Sequence, residues 1–198
     1  MSLEFVLDYR SPYSYLANTQ VADLSPHTVY QVVDIVNVMG KVHNQPSPAC
    51  PAKARYSAID SARWAKLYEV AWAPNLALLG AMRDRDFDGS FINRAGLAAQ
   101  ELGVFEIVNS ALFAAVWAGR DDLLTSEGKS TFLKKQGCDI DIWEYSNSAY
   151  IKERLASNDE TAASRGVFGV PSFFVGDELF FGNDRIEFVR AALKKLAA

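Results

Sequence analysis

Chemistry can first be located in this chain at Asp8-Tyr9-Arg10-Ser11-Pro12-Tyr13-Ser14-Tyr15-Leu16-Ala17. A short apolar run, Leu3-Glu4-Phe5-Val6-Leu7, precedes it and reads as a strand. Ser11 is a good helix N-cap, and proline is the residue most at home in the first helical position. The spacing therefore holds a hydroxyl at the positive end of a helix, where backbone N–H groups and the dipole favour an anion.

Other chemistries have less to build on. The only histidines are His27 and His43, and the only cysteines are Cys50 and Cys138, none of them in a zinc or Cys-x-x-Cys pattern. A metal site is not expected. A Ser-His triad has no Gly-x-Ser-x-Gly elbow to start from, and both cysteines read as plain free thiols. The formal charge of −4 argues against a general affinity for nucleic acid, which needs a basic face. No stretch approaches the ~20 apolar residues of a membrane span, and the N-terminus lacks the basic flank of a signal peptide. A cytoplasmic protein is expected.

The elements that must position Ser11 follow in order. A helix over Pro12 to Leu24 stops before Ser25-Pro26, and Val29 to Val36 reads as a second strand, completing a parallel βαβ unit. Three prolines between Pro46 and Pro51 mark an irregular loop. Helical patterns then run to about Arg165. One covers Lys53 to Val70, another Pro74 to Arg83, and a third, capped by Asn93, stops at Gly103. Val104 to Ala118 follows, then a helix capped by Asp121-Asp122, and a long pair from Asp141 that ends at Gly166 in a C′ position. Ser172 to Val175 and Glu178 to Phe181 form a hairpin through Gly176-Asp177. The last helix, Asp184 to Leu196, turns Ile186, Val189, Ala192, Leu193 and Leu196 inward. The sum is an α/β, thioredoxin-like fold with a large all-helical domain inserted after the second strand. Residues 1–39 and 166–198 make the thioredoxin-like part and residues 40–165 the insertion.

In thioredoxin-like oxidoreductases this helix start carries Cys-x-x-Cys, with the first thiol's pKa lowered. Here it reads Ser11-Pro12-Tyr13-Ser14, which excludes dithiol exchange but keeps the anion-stabilising geometry. A thiolate supplied from outside fits, and glutathione is the common intracellular one. A hydrogen bond to a charged group is worth ~1.5–3 kcal/mol and the dipole ~0.3–1 kcal/mol. At ~1.4 kcal/mol per pKa unit, a thiol of pKa ~8.5 falls by roughly one to three units. Ser11 serves as donor, since no base is in evidence to make it a nucleophile. Val170-Pro171 fits a cis bond facing the helix start, which would offer the Val170 backbone to an extended peptide. Asp184 suits the α-amino group of a γ-glutamyl residue, while on local evidence alone an N-cap is the commoner role.

With these blocks in view, the chain resembles the 2-hydroxychromene-2-carboxylate isomerases, in the group shared by kappa-class glutathione transferases and DsbA-like proteins. The resemblance covers nearly the whole chain and is densest at Asp8–Ala17, at Tyr56–Tyr68 with Asp60, Arg63 and Trp64, and from Ala162 to Arg185. It implies glutathione as a cofactor regenerated each turnover, with Ser11 at the catalytic thiol-stabilising position. It further implies Asn44 near the glutathione cysteine, Lys53 at a ligand carboxylate, Val170 before the cis-proline, and Asn183 and Asp184 at the γ-glutamyl group. Lys53 shares a helix stripe with Tyr56, Asp60 and Arg63, so an Asp60–Arg63 pair would brace it; a solvated face is the alternative. The segments Val70-Ala71-Trp72-Ala73-Pro74 and Phe91-Ile92-Asn93-Arg94 depart from the family pattern where the acceptor pocket would lie.

The expected activity is therefore a glutathione-dependent isomerase acting on an aromatic carboxylate in aromatic catabolism, with a homodimer implied by the family. Tyr13, Trp64 and Trp72 would supply aromatic walls or core packing. Arg10 would either meet an anionic substrate or point to solvent. The alternatives are a kappa-like glutathione transferase, which would release the conjugate, and a non-catalytic peptide-binding module.

Overall fold

Strand β1 (Leu3–Leu7) is the hidden centre of the sheet, with Leu3, Phe5, Val6 and Leu7 fully buried. In this computed structural model, residues 3–84 and 87–197 are described. β1 pairs in parallel with β2 (Thr28–Val32) and antiparallel with β3 (Ser172–Val175), which continues antiparallel to β4 (Glu178–Phe181). The order β2-β1-β3-β4 is that of the thioredoxin-like fold expected from the βαβ and ββα halves. Phe5 is the cross-strand anchor: its ring stacks on Phe173 at 5.1 Å and meets Tyr30 edge-on at 5.8 Å.

Helix α1 spans Pro12–Leu24, and the 176–177 hairpin turns on Gly176 with φ +64°. The second strand is shorter than its β-branched run suggests. It ends at Val32, and Asp34 caps a new helix, α2 (Ile35–Lys41), by accepting from Val36 N. Ile35 and Val38 then enter a core with Val6, Val33, Ala162, Val167, Val170 and Phe174. Tertiary burial outweighs the strand propensity of this run.

α3 (Pro51–Leu67) packs against α1, with a 3₁₀ turn at Ser47–Ala49 before it. The described chain divides into two compact units, one of Met1–Val70 with Ser157–Ala198, the other of Ala71–Ala156. The division falls inside the expected 40–165 insertion because α2, α3 and the end of α9 (Ala149–Ser164) pack with the sheet and α1.

The second unit holds α4 (Leu76–Ala81), α5 (Phe91–Glu101), α6 (Phe105–Trp117), α7 (Ser126–Lys135), α8 (Ile142–Tyr145) and the start of α9. α5 packs on α6 and α8 and is buried from Phe91 to Ala99. Asn93 is therefore inside α5, not its cap; Ser90 holds that position. Thr125, rather than Asp121 or Asp122, caps α7 by accepting from Gly128 N, while Asp122 builds the preceding turn through Leu124 N and Thr125 Oγ1. Asp141 caps α8 as expected, and Gly166 follows α9 with φ +85°. Asn183–Arg185 forms a 3₁₀ turn before α10 (Ile186–Ala197). Ile186 and Val189 are buried, but Leu196 is 43% exposed and so does not join the inward face expected of it.

Candidate functional site

The site begins where β1 ends. Ser11 N donates to Asp8 O at 3.0 Å, which curls the chain into a tight turn. Ser11 then takes the N-cap of α1 in extended backbone conformation (φ −91°, ψ 120°), and its Oγ accepts from Ser14 N at 3.2 Å. The hydroxyl proton points at Val170 O, 3.4 Å away. That length is at the weak limit of a hydrogen bond, so redirecting the proton to a bound anion costs little. The Val170–Pro171 peptide is cis. Val170 is buried as a residue, and its carbonyl faces Ser11. Neither partner of the Ser11 hydroxyl is a base, which suits a donor and not a nucleophile.

Asn44 joins this group through its Nδ2, which donates to Phe168 O at 2.8 Å and ties the Asn44 loop to the segment before Val170. Asn183 lies in the 3₁₀ turn that packs against α1. It is 3% exposed; its carbonyl accepts from Tyr68 OH at 3.2 Å, and its Nδ2 has no hydrogen-bond partner. A buried, unpaired amide donor is costly unless a ligand completes it. Asp184 is exposed and pairs with Arg185 Nη1 at 2.6 Å; it is not the N-cap, a position that Gly182 holds. Gly182 has φ +109°, and a Cβ there would come within 2.4 Å of Asp184 Oδ1, so only glycine lets this carboxylate keep its place. Lys53 is exposed in the first turn of α3, where its backbone N–H meets Cys50. All six candidate residues fall in the first unit.

Other expectations change. Asp60 does not pair with Arg63; it accepts from Tyr13 OH at 3.0 Å and Tyr56 OH at 3.2 Å, because α3 packs its flank against α1. Burial, then the bond to Asp60 and its charge, push the Tyr13 phenol up to about 12 and keep it neutral. Trp64 meets Tyr68 at 5.3 Å, whereas Trp72 belongs to the second unit and stacks on Trp117 at 5.6 Å. Cys50 and Cys138 are free thiols. Cys50 stands at the start of α3, where the Lys53 backbone N–H holds its thiol below the usual value.

Arg10 is taken up by carboxylates of its own chain rather than pointing freely to solvent, its side chain 18% exposed. Its guanidinium grips Asp8 at 2.6 Å and Asp34 at 2.5 Å. Burial raises the Asp8 pKa, but the Arg10 charge and hydrogen bonds from Arg10 and Ile35 N outweigh it and hold the carboxyl below its ordinary value. Asp159 completes this foundation by accepting from Asp34 N at 2.7 Å. Nothing local in the sequence signals these long-range partners. Among the described residues no group of three or more His, Cys, Asp or Glu could hold a metal, and no helix is long and apolar enough to cross a membrane.

The arrangement has counterparts. The model of the DSBA-like thioredoxin domain family matches residues 2–194. A 2-hydroxychromene-2-carboxylate isomerase from Pseudomonas putida is 31% identical over 205 residues, covering 99% of this chain and 96% of that protein. A protein of the same name from Sphingobium xenophagum is 27% identical, with 97% of each covered. Among solved structures, a selenomethionine 2-hydroxychromene-2-carboxylate isomerase superposes with a TM-score of 0.80 at 26% identity, covering 100% of this chain and 96% of that one. A probable DsbA oxidoreductase from Streptomyces coelicolor shares the fold at 19% identity and a TM-score of 0.73, over 98% and 89% of the two chains.

Proposed function

Since this chain belongs to the 2-hydroxychromene-2-carboxylate isomerase family, within the DSBA-like thioredoxin domains, we propose that it is a glutathione-dependent isomerase of an aromatic carboxylate. The observation that carries this reading is the Ser11 hydroxyl, held at the N-cap of α1 with only a 3.4 Å contact to Val170 O to compete for its proton. With Ser14 where a second cysteine would be needed, the site can stabilise a thiolate but cannot form a disulfide.

The residues present suit glutathione. The exposed Asp184 carboxylate matches an ammonium, the exposed Lys53 matches a carboxylate, and the buried Asn183 holds the turn that presents Asp184. Asn44 holds the Phe168 carbonyl and so the approach to Val170. When bound, glutathione supplies a thiolate able to add reversibly to a double bond conjugated to a carbonyl, which makes that bond single and free to rotate. Ser11 lowers the cost of ionising the thiol by donating to it. The start of α1 adds its dipole, and Arg10, already neutralised by Asp8 and Asp34, leaves that work to Ser11. Tyr13 stays neutral and keeps its proton on Asp60.

Product analysis separates this reading from conjugation. Incubated with a hydroxychromene carboxylate and substoichiometric glutathione, the protein is expected to bring the substrate to equilibrium with its open isomer while free glutathione stays constant. Consumption of one glutathione per substrate would make it a transferase.

A further inference from the structure

Three carboxylates lie behind the Ser11 turn with a single guanidinium among them. Arg10 spans Asp8 and Asp34, and both of these also accept backbone amides, from Ile35 and Val36 respectively. Asp159, 1% exposed on α9, receives only neutral donors: Asp34 N at 2.7 Å to Oδ1 and Asn37 Nδ2 at 3.3 Å to Oδ2. The charged groups around it are Asp34 after β2, Asp8 and Arg10 after β1, and Lys41 on α2, which is paired outward with Glu160 of α9 itself at 2.5 Å. With every carboxylate ionised the buried group of Asp8, Asp34, Asp159 and Arg10 carries two uncompensated negative charges. One bound proton halves that excess, and Asp159 is the one of the three carboxylates that Arg10 does not pair.

We propose that Asp159 is a positioning residue for Ser11, its protonated carboxyl group keeping Arg10 and Asp34 in the arrangement that fixes the turn from Asp8 to Ser11. The contacts run without a gap: Asp159 to Asp34 N, Asp34 to Arg10, Arg10 to Asp8, and Asp8 O to Ser11 N at 3.0 Å. Loss of the proton places a second excess charge behind the turn. It competes for the Arg10 guanidinium and opposes an anion at the start of α1. Burial, reinforced by the charges of Asp34 and Asp8, pushes Asp159 up to about 7, against the two hydrogen bonds it receives, so the change falls in the neutral range. The inference deepens the reading of Ser11 as a thiolate donor and rests on it.

The test has two arms. In the protein without glutathione, amide NMR shifts of Arg10 and Ser11 are followed from pH 5 to 9. They are expected to titrate with a midpoint near 7, to lose that titration in Asp159→Asn, and to shift it upward in Asn37→Ala. His27 and His43 remain in both variants, so what Asp159→Asn removes belongs to Asp159. Asn37 is exposed, which makes Asn37→Ala a safe second variant. A flat wild-type profile, a titration that survives Asp159→Asn, or an unmoved midpoint in Asn37→Ala overturns the proposal. In the second arm kcat of the wild type is expected to fall as pH rises through 7, and that fall is expected to vanish in Asp159→Asn. The same fall in both proteins overturns the positioning role. If neither protein turns over with glutathione, the cofactor reading fails, while the NMR arm still decides the coupling to Ser11.

Discussion

The two sides of the β1–α1 turn are built on opposite terms. Behind it, the buried Asp8, Asp34 and Asp159 interlock with the half-buried Arg10, and Asp8 alone accepts from Arg10 N, the Arg10 guanidinium and Ile35 N. In front of it the bonding is thin: a 3.4 Å contact for the Ser11 hydroxyl, and no partner for the buried Asn183 Nδ2. The contrast separates what holds the fold from what would receive the proposed ligand. A fully satisfied polar network rigidifies its surroundings, whereas unsatisfied donors gain most when a guest arrives.

Substitutions on the two sides are therefore expected to fail in different ways. Arg10→Ala strands two carboxylates, one of them with no exposed surface, and breaking such a buried pair costs about 3–5 kcal/mol. Urea unfolding will show it as a loss of stability; a loss below 1 kcal/mol would mean the network is not a foundation. Ser11→Ala is expected to leave stability within about 1 kcal/mol, the cost of a lost cap, while lowering kcat/KM about 10- to 100-fold through the missing donor. Unfolding and kinetics on one preparation check the split.

Smaller effects sharpen the same contrast. Asp184→Asn is expected to raise the KM for glutathione several-fold with kcat nearly unchanged, because it would remove the proposed ionic contact to the ammonium, distant from the sulfur; steady-state kinetics with varied glutathione decides it. The pH dependence of stability separates two carboxylates behind the turn. The Asp8 pKa is held below its ordinary value in the fold, so its contribution is present above the ordinary carboxylate range and fades as pH falls through the folded value. Asp159 has the opposite sign: raised from 3.8 to about 7, it contributes fully at acid pH, and that contribution is lost as pH rises through 7. Unfolding midpoints are expected to decline on both flanks, and Asp159→Asn to flatten only the alkaline one.

Features set by near neighbours were legible in the sequence because capping and turn formation are local. Ser11-Pro12 announces its helix start, Gly176-Asp177 its hairpin, and Asp141 its cap. The family resemblance brought Asn44, Val170, Asn183 and Asp184 to the same unit, and the structure ties Ser11 to Val170 and Asn44 to Phe168. The back side was not legible. Asp34 meets Asp159 across 125 residues, and no spacing rule reaches that far. Val33 to Val36 looked like the end of a strand because its β-branched residues favour one, yet the Asp34 cap and the core beneath Ile35 and Val38 make the segment helical. At Asn93 and Asp121-Asp122 a residue of capping type stood near a helix start, but burial and turn bonds gave the cap to a neighbour. Arg10 lay beside the candidate serine, and only the fold shows that it faces inward.

The claim that Ser11 stabilises a borrowed thiolate is tested most directly by titrating the ultraviolet absorbance of glutathione bound to the wild-type protein and to Ser11→Ala. The account predicts a bound thiol roughly one to three units below the free value of ~8.5 in the wild type, and at least one unit higher in Ser11→Ala than in the wild type. Equal pKa values in the two proteins would contradict it.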